Sequence, residues 1–131
     1  MSRTIKVDIW SDIACPWCYL GKHRFEAALD RFATDGGSHT VEVEYHSYQL
    51  DPALPEDYSG THDEYLAAHL NLTADKVADA NRHLQALGRQ YGLDYNFADN
   101  LVTNTFKAHE LLHFARAHRS QEEVKERLLR A

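Results

Sequence analysis

Scarcity is the first information in this sequence. Only two cysteines, three prolines and one methionine occur in 131 residues. No run approaches the ~20 apolar residues a membrane-crossing helix needs, so a membrane-spanning role is not expected. Basic residues form no block. The formal net charge is −6 with acids and bases intermixed, which argues against a nucleic-acid groove or an anionic-membrane surface. Met1-Ser2-Arg3-Thr4-Ile5-Lys6 leads directly into an alternating pattern with no apolar signal segment, so a cytoplasmic location is expected. Internal repeats, low-complexity stretches and a dividing linker are also lacking. A chain of this length and 44% apolar content suits a single modest core.

Scarcity gives the two cysteines their weight. They stand in Cys15-Pro16-Trp17-Cys18, and in a reducing compartment such a pair is catalytic or metal-binding rather than a structural staple. A zinc knuckle needs two more ligands, and no second CxxC or paired CxxH exists. Residues 4–10 alternate, with Ile5, Val7 and Ile9 on one face, and Ser11 and Asp12 break the pattern as a strand exit. From Cys18 to Phe32, Phe25, Ala28, Leu29 and Phe32 recur at helical spacing, with Lys22 and Glu26 as an exposed i,i+4 pair. Gly36-Gly37-Ser38 ends that segment, and Val41, Val43 and Tyr45 alternate in a second strand. Strand, helix and strand make a βαβ unit with parallel strands.

Beyond the Asp51-Pro52 turn the pattern is helical. Thr61-His62-Asp63-Glu64 predicts a capping box for a helix through Leu70. Thr73 caps a helix to about Tyr91, stopped by Gly92. A third spans roughly 104–118, and Ser120-Gln121-Glu122-Glu123 predicts a second capping box for a helix still running at Ala131. The expected fold is α/β. Residues 1–52 form a βαβ half, and residues 53–131 form a helical insertion or lid, incomplete at its C-terminus.

A CxxC at the start of a helix is a redox layout, because partial positive charge and unpaired amides there stabilise a thiolate. Cys15 is the exposed nucleophile and Cys18, one turn in, resolves. Pro16 supplies a φ suited to the first turn without wasting an N–H. Trp17 offers a bulky contact for a peptide or glutathione. Asp12, three residues before Cys15, either modulates the thiol or closes a simple Asx turn, with the turn favoured. Lys22 and Arg24 could attract a glutathione carboxylate, although a solvated helix face explains them equally well. Trp10, Tyr45 and Tyr48 are expected to pack rather than bind.

At these residues the chain resembles the DsbA-like branch of the thioredoxin fold, specifically its cytoplasmic FrnE-like dithiol oxidoreductases. The resemblance lies in Ile9-Trp10-Ser11-Asp12, Cys15 through Lys22 and Phe25-Glu26-Ala27-Ala28-Leu29. It continues in Tyr48-Gln49-Leu50-Asp51-Pro52 and in Asn104-Thr105-Phe106-Lys107-Ala108-His109. It implies a thioredoxin core with a helical domain inserted after its second strand. It also implies disulfide oxidation, reduction or isomerisation, with no organic cofactor or metal and glutathione as an optional co-substrate. Related members with serine at the first cysteine position are glutathione-dependent isomerases of hydroxychromene carboxylates, so Cys15 favours the redox branch. Thioredoxin-fold enzymes also carry a cis-proline loop opposite the CxxC and a closing hairpin and helix. Pro16, Pro52 and Pro55 do not supply that loop. The chain is therefore expected to correspond to the first two thirds of such a protein, completed by a second copy or a partner, or else to act as a binding or assembly module.

One rival motif remains. His109-Glu110-Leu111-Leu112-His113 matches the H-E-x-x-H zinc-hydrolase pattern. Nine histidines make a chance match easy, and Arg116 and Arg119 stand where the extended motif needs Gly and His. No metal is expected there. If its helix faces the CxxC, His109 has a claim as a proton relay, against the plainer reading of a surface or half-buried polar residue.

Overall fold

The computed structural model describes residues 2–36 and 38–131; Gly37, in the expected turn, lies outside them. Among the described residues it contains a two-stranded parallel sheet and five helices. β1 (Thr4–Ser11) pairs in register with β2 (Thr40–Ser47), from Thr4 opposite Thr40 to Ser11 opposite Ser47. α1 (Pro16–Asp35) is the crossover between them, as the βαβ pattern predicts. Both strands arise from apolar alternation, which a pleated chain turns to one face. That face is only half covered: Val7 and Ile9 are half-buried, while Ile5 is 43% exposed.

The remaining helices are α2 (His62–Leu70), α3 (Ala74–Arg89), α4 (Phe106–Ala117) and α5 (Gln121–Arg130). Two of the predicted caps form. Thr61 and Glu64 close a reciprocal capping box on α2, and Thr73 accepts from the Lys76 amide on α3. Asn71 ends α2 in the left-handed region, and Gly92, at φ +75°, turns the chain after α3. Replacing Thr61 with alanine removes the acceptor for the Glu64 amide and should cost about 1 kcal/mol, readable as a shift in the urea midpoint at unchanged slope.

The second predicted capping box does not form. Ser120 makes no capping bond to α5. Its hydroxyl instead donates to the Ala115 carbonyl, where the tight α4–α5 turn leaves acceptors free. No described helix is long and apolar enough to cross a membrane.

The core sits between α1 and the helical half. Tyr19 and Leu20 of α1 pack with Leu84 of α3 and with Leu93 and Phe97 of the following loop. The apolar positions predicted along the middle of α1 contribute less, since Phe25, Leu29 and Phe32 are half-buried and Ala28 is exposed. Tyr95 ties the two halves together. Its ring stacks on Phe97 at 5.3 Å and its hydroxyl donates to the Pro16 carbonyl. A Cβ at Gly88 would lie 2.7 Å from that ring, so the close approach requires glycine.

Candidate redox site

Cys15 is the N-cap of α1 and Pro16 occupies its first turn, the geometry expected of a residue that needs no N–H there. The backbone closes tightly, with the Cys18 amide 3.0 Å from the Cys15 carbonyl. Both cysteines are free and half-buried. The Trp17 and Cys18 amides bear on the Cys15 sulfur and favour its thiolate, although no capping hydrogen bond closes to it. The amide cluster that a helix start provides is therefore present.

The two thiols are coupled, each bearing on the ionisation of the other, so the pair loses one proton easily and the second with difficulty.

Asp12 is more than a turn residue. Its carboxylate is 3% exposed and joins three segments. Oδ1 accepts from the Ile13 amide at 2.7 Å and lies 2.9 Å from His109 Nε2; Oδ2 accepts from the Leu50 amide at 2.8 Å. Burial alone would raise this carboxyl, but hydrogen bonds from Leu50, Thr105, Ile13 and His109 outweigh it and hold it below its ordinary value. The simple Asx turn favoured by the sequence is replaced by a buried junction.

His109 is correspondingly buried, not at the surface, and its Nε2 faces the Asp12 carboxylate. Its Nδ1 has no hydrogen-bond partner among the described residues. His109 therefore supports the loop before Cys15 through Asp12. Glu110 and His113, the rest of the H-E-x-x-H match, are exposed. The grouping of three metal-capable side chains among the described residues is Asp8, Glu44 and His46 on the sheet, which includes neither His109 nor His113. Lys6 and Arg116 already pair with Glu44 there. His109 and His113 share a helix face, but only His109 lies under cover, against Asp12.

Beside the dithiol a groove of about 280 Å³ opens between the CxxC and the helical half. Ala14, Cys15, Pro16 and Trp17 form one wall, and Leu50, Leu54, Tyr65, Leu66, Leu70 and Leu84 contribute to the rest. Its polar lining includes Asp12, Asp51, His62 and Asn81, with no Lys or Arg among the described residues. Cys15 lines the groove and Cys18 does not. Trp17 is 51% exposed at the rim, and its ring stands 6.4 Å from that of His83.

Charges behind the pair escaped the sequence reading. Lys22 is buried rather than solvated, held by Glu26 at 2.6 Å and by Glu126 of α5 at 2.8 Å. Glu126 also meets His23 at 2.7 Å. Arg24 lies over the Tyr91 ring. Lys125, next to Glu126, is buried at 3% exposure. Tyr45 packs half-buried as expected, but Trp10 and Tyr48 are exposed.

Comparison with known proteins agrees with this fold. The family model for the DSBA-like thioredoxin domain matches residues 6–131. A solved structure of a probable DsbA oxidoreductase, SCO1869 from Streptomyces coelicolor, is 37% identical and superposes with a TM-score of 0.87, covering 95% of this chain and 52% of that one. An uncharacterised protein of Bacillus subtilis strain 168, YwbO, is 25% identical over 130 residues, 98% of this chain and 56% of its own length. The chain thus spans about half the length of the proteins it matches.

Proposed function

The chain belongs to the DSBA-like thioredoxin domain family, and from that membership we propose that it is a thiol–disulfide oxidoreductase working through its CPWC dithiol. The observation that carries the reading is the placement of Cys15, at a helix N-cap and in the wall of an apolar groove. Cys15 is the nucleophile because it stands at the helix start and lines the groove.

The Cys15 thiolate attacks one sulfur of a substrate disulfide, forming a mixed disulfide and expelling the other substrate sulfur as a thiolate. Cys18 then attacks Cys15, forming the Cys15–Cys18 disulfide and releasing the reduced substrate. Run backwards, the same steps oxidise a dithiol. Pro16 fixes the turn, Trp17 offers a ring at the groove's rim, and Asp12 with His109 holds the loop that presents Cys15.

The groove favours neutral, apolar groups next to the substrate sulfur. Glutathione brings carboxylates to a lining that holds Asp12 and Asp51 and, among the described residues, no Lys or Arg, so it should be a poor co-substrate. The test compares exchange of the reduced protein with glutathione disulfide and with a neutral aromatic disulfide, each normalised to the reaction of a free cysteine derivative. The neutral disulfide should gain at least about tenfold relative to glutathione, the equivalent of ~1.4 kcal/mol of selective binding. No exchange with either would overturn the redox reading; equal normalised rates would overturn only the selectivity.

A second reading rests on exposed apolar surface. Trp10, Leu50, Phe106 and Phe114 are each more than half exposed. That surface favours a module covered by a partner or a second copy, with exchange impaired in isolation. Sedimentation combined with the same exchange assay separates the two readings: turnover by a monomer excludes the impaired module.

A further inference from the structure

We propose that Tyr95 is a positioning residue for Cys15, holding the peptide unit between Pro16 and Trp17 so that its amide is aimed at the nucleophilic sulfur; this rests on the redox reading above. The contact is direct. The Tyr95 hydroxyl donates to the Pro16 carbonyl at 2.5 Å, across 79 positions of sequence. Pro16 lies between the two cysteines, and Tyr95 itself does not line the groove. It therefore acts through the turn rather than on a substrate.

The turn has one amide to spare. Pro16 has no N–H, and the Cys18 and Tyr19 amides go to the Cys15 carbonyl at 3.0 and 3.4 Å. The Trp17 amide has no backbone acceptor among the described residues. It occupies the second position of α1, where an amide faces the side chain of the N-cap residue, and that residue is Cys15. No capping bond closes to the thiol, so the donor is kept for the charge that ionisation places on the sulfur. The Trp17 N–H and the Pro16 carbonyl belong to one planar peptide unit, and in a helix they point in opposite directions along the axis. A donor on the carbonyl polarises the N–H at the other end and strengthens the bond it offers.

Tyr95 is held where its hydroxyl serves this purpose. Its ring stacks on Phe97, meets the Tyr19 ring edge-on at 6.1 Å and lies against Gly88. Gln85 donates to its carbonyl at 3.1 Å. Burial pushes its phenol up to about 12, so the hydroxyl keeps its proton, and remains a donor, wherever thiol exchange runs. Phenylalanine would meet the same rings. What the hydroxyl adds is the bond to Pro16. A steadier Cys15 thiolate favours the reduced dithiol over the disulfide.

The experiment reads Cys15 alone, in the Cys18→Ser protein, from its alkylation rate against pH with and without Tyr95→Phe. Asp12 after β1, and Asp51, His62 and Tyr65 in the groove lining, are the same in both proteins. Tyr95→Phe should raise the Cys15 midpoint, lowering its acid dissociation constant about threefold. Tyr95→fluorotyrosine, a stronger donor of nearly the same shape, should move the midpoint down. In the dithiol protein, dithiothreitol passes two electrons and two protons to the Cys15–Cys18 disulfide and closes its own ring. That equilibrium should favour the reduced protein about threefold less after Tyr95→Phe. A tie that only joins the two halves would lower the urea midpoint and leave the thiol midpoint and the redox equilibrium in place. An unmoved Cys15 midpoint in a Tyr95→Phe protein with native circular dichroism overturns the proposal. Should that variant fail to fold, an unmoved midpoint in the fluorotyrosine protein overturns it instead. Turnover is not needed for any of these readouts. Loss of exchange with Cys15 shifted as expected would sink the redox reading, whereas normal exchange with Cys15 unmoved would sink only the role of Tyr95.

Discussion

Replacing Cys15 with serine should abolish disulfide exchange, leaving only the background of the assay. A serine hydroxyl does not ionise near neutral pH, and Cys18 does not line the groove beside the dithiol. The complementary change, Cys18→Ser, should keep the first half of the reaction and lose the second, so mixed disulfides accumulate and can be seen by mass spectrometry. Retained exchange after Cys15→Ser, with none after Cys18→Ser, would transfer the nucleophile's role to Cys18.

Where a signal is local, the sequence disclosed the structure. The alternation of Ile5, Val7 and Ile9 with charged residues, the Thr61 capping box and the CxxC ahead of a helix each depend on neighbours within about one turn. What stayed hidden was made by long-range meetings. Lys125 and Ser11 are 114 positions apart, Lys22 and Glu126 are 104, and Asp12 and His109 are 97. A charged residue on an amphipathic helix reads as solvated unless another element covers it, and periodicity carries no information about that cover. The same limit explains His109 and His113, one helical turn apart on one face yet the first buried and the second exposed. Ser120 shows a local signal overruled, because the tight turn between α4 and α5 offers its hydroxyl a carbonyl instead of a cap.

Asp12→Ala should be the most damaging substitution to stability among the residues around the dithiol. It removes the acceptor of the Ile13 and Leu50 amides and leaves the buried His109 ring without its partner. Leaving buried donors without their charged acceptor typically costs about 1–3 kcal/mol, a large share of the stability of a small domain. The loss should depend on pH in a definite direction. Asp12 is held below its ordinary value in the folded protein, so the unfolded chain binds the proton more readily. The stabilisation is complete above the unfolded carboxyl value of ~3.9 and disappears as pH falls through the lower, folded value. Urea unfolding at neutral pH should therefore show the full difference between the parent and Asp12→Ala. The difference should narrow in acid, where the parent surrenders the same charge that the substitution has already removed. A neutral-pH loss below about 1 kcal/mol, the worth of one ordinary hydrogen bond, would mean the junction does not fasten the Cys15 loop. A gap that stays constant into acid would mean that packing, rather than the carboxylate, holds Asp12 in place.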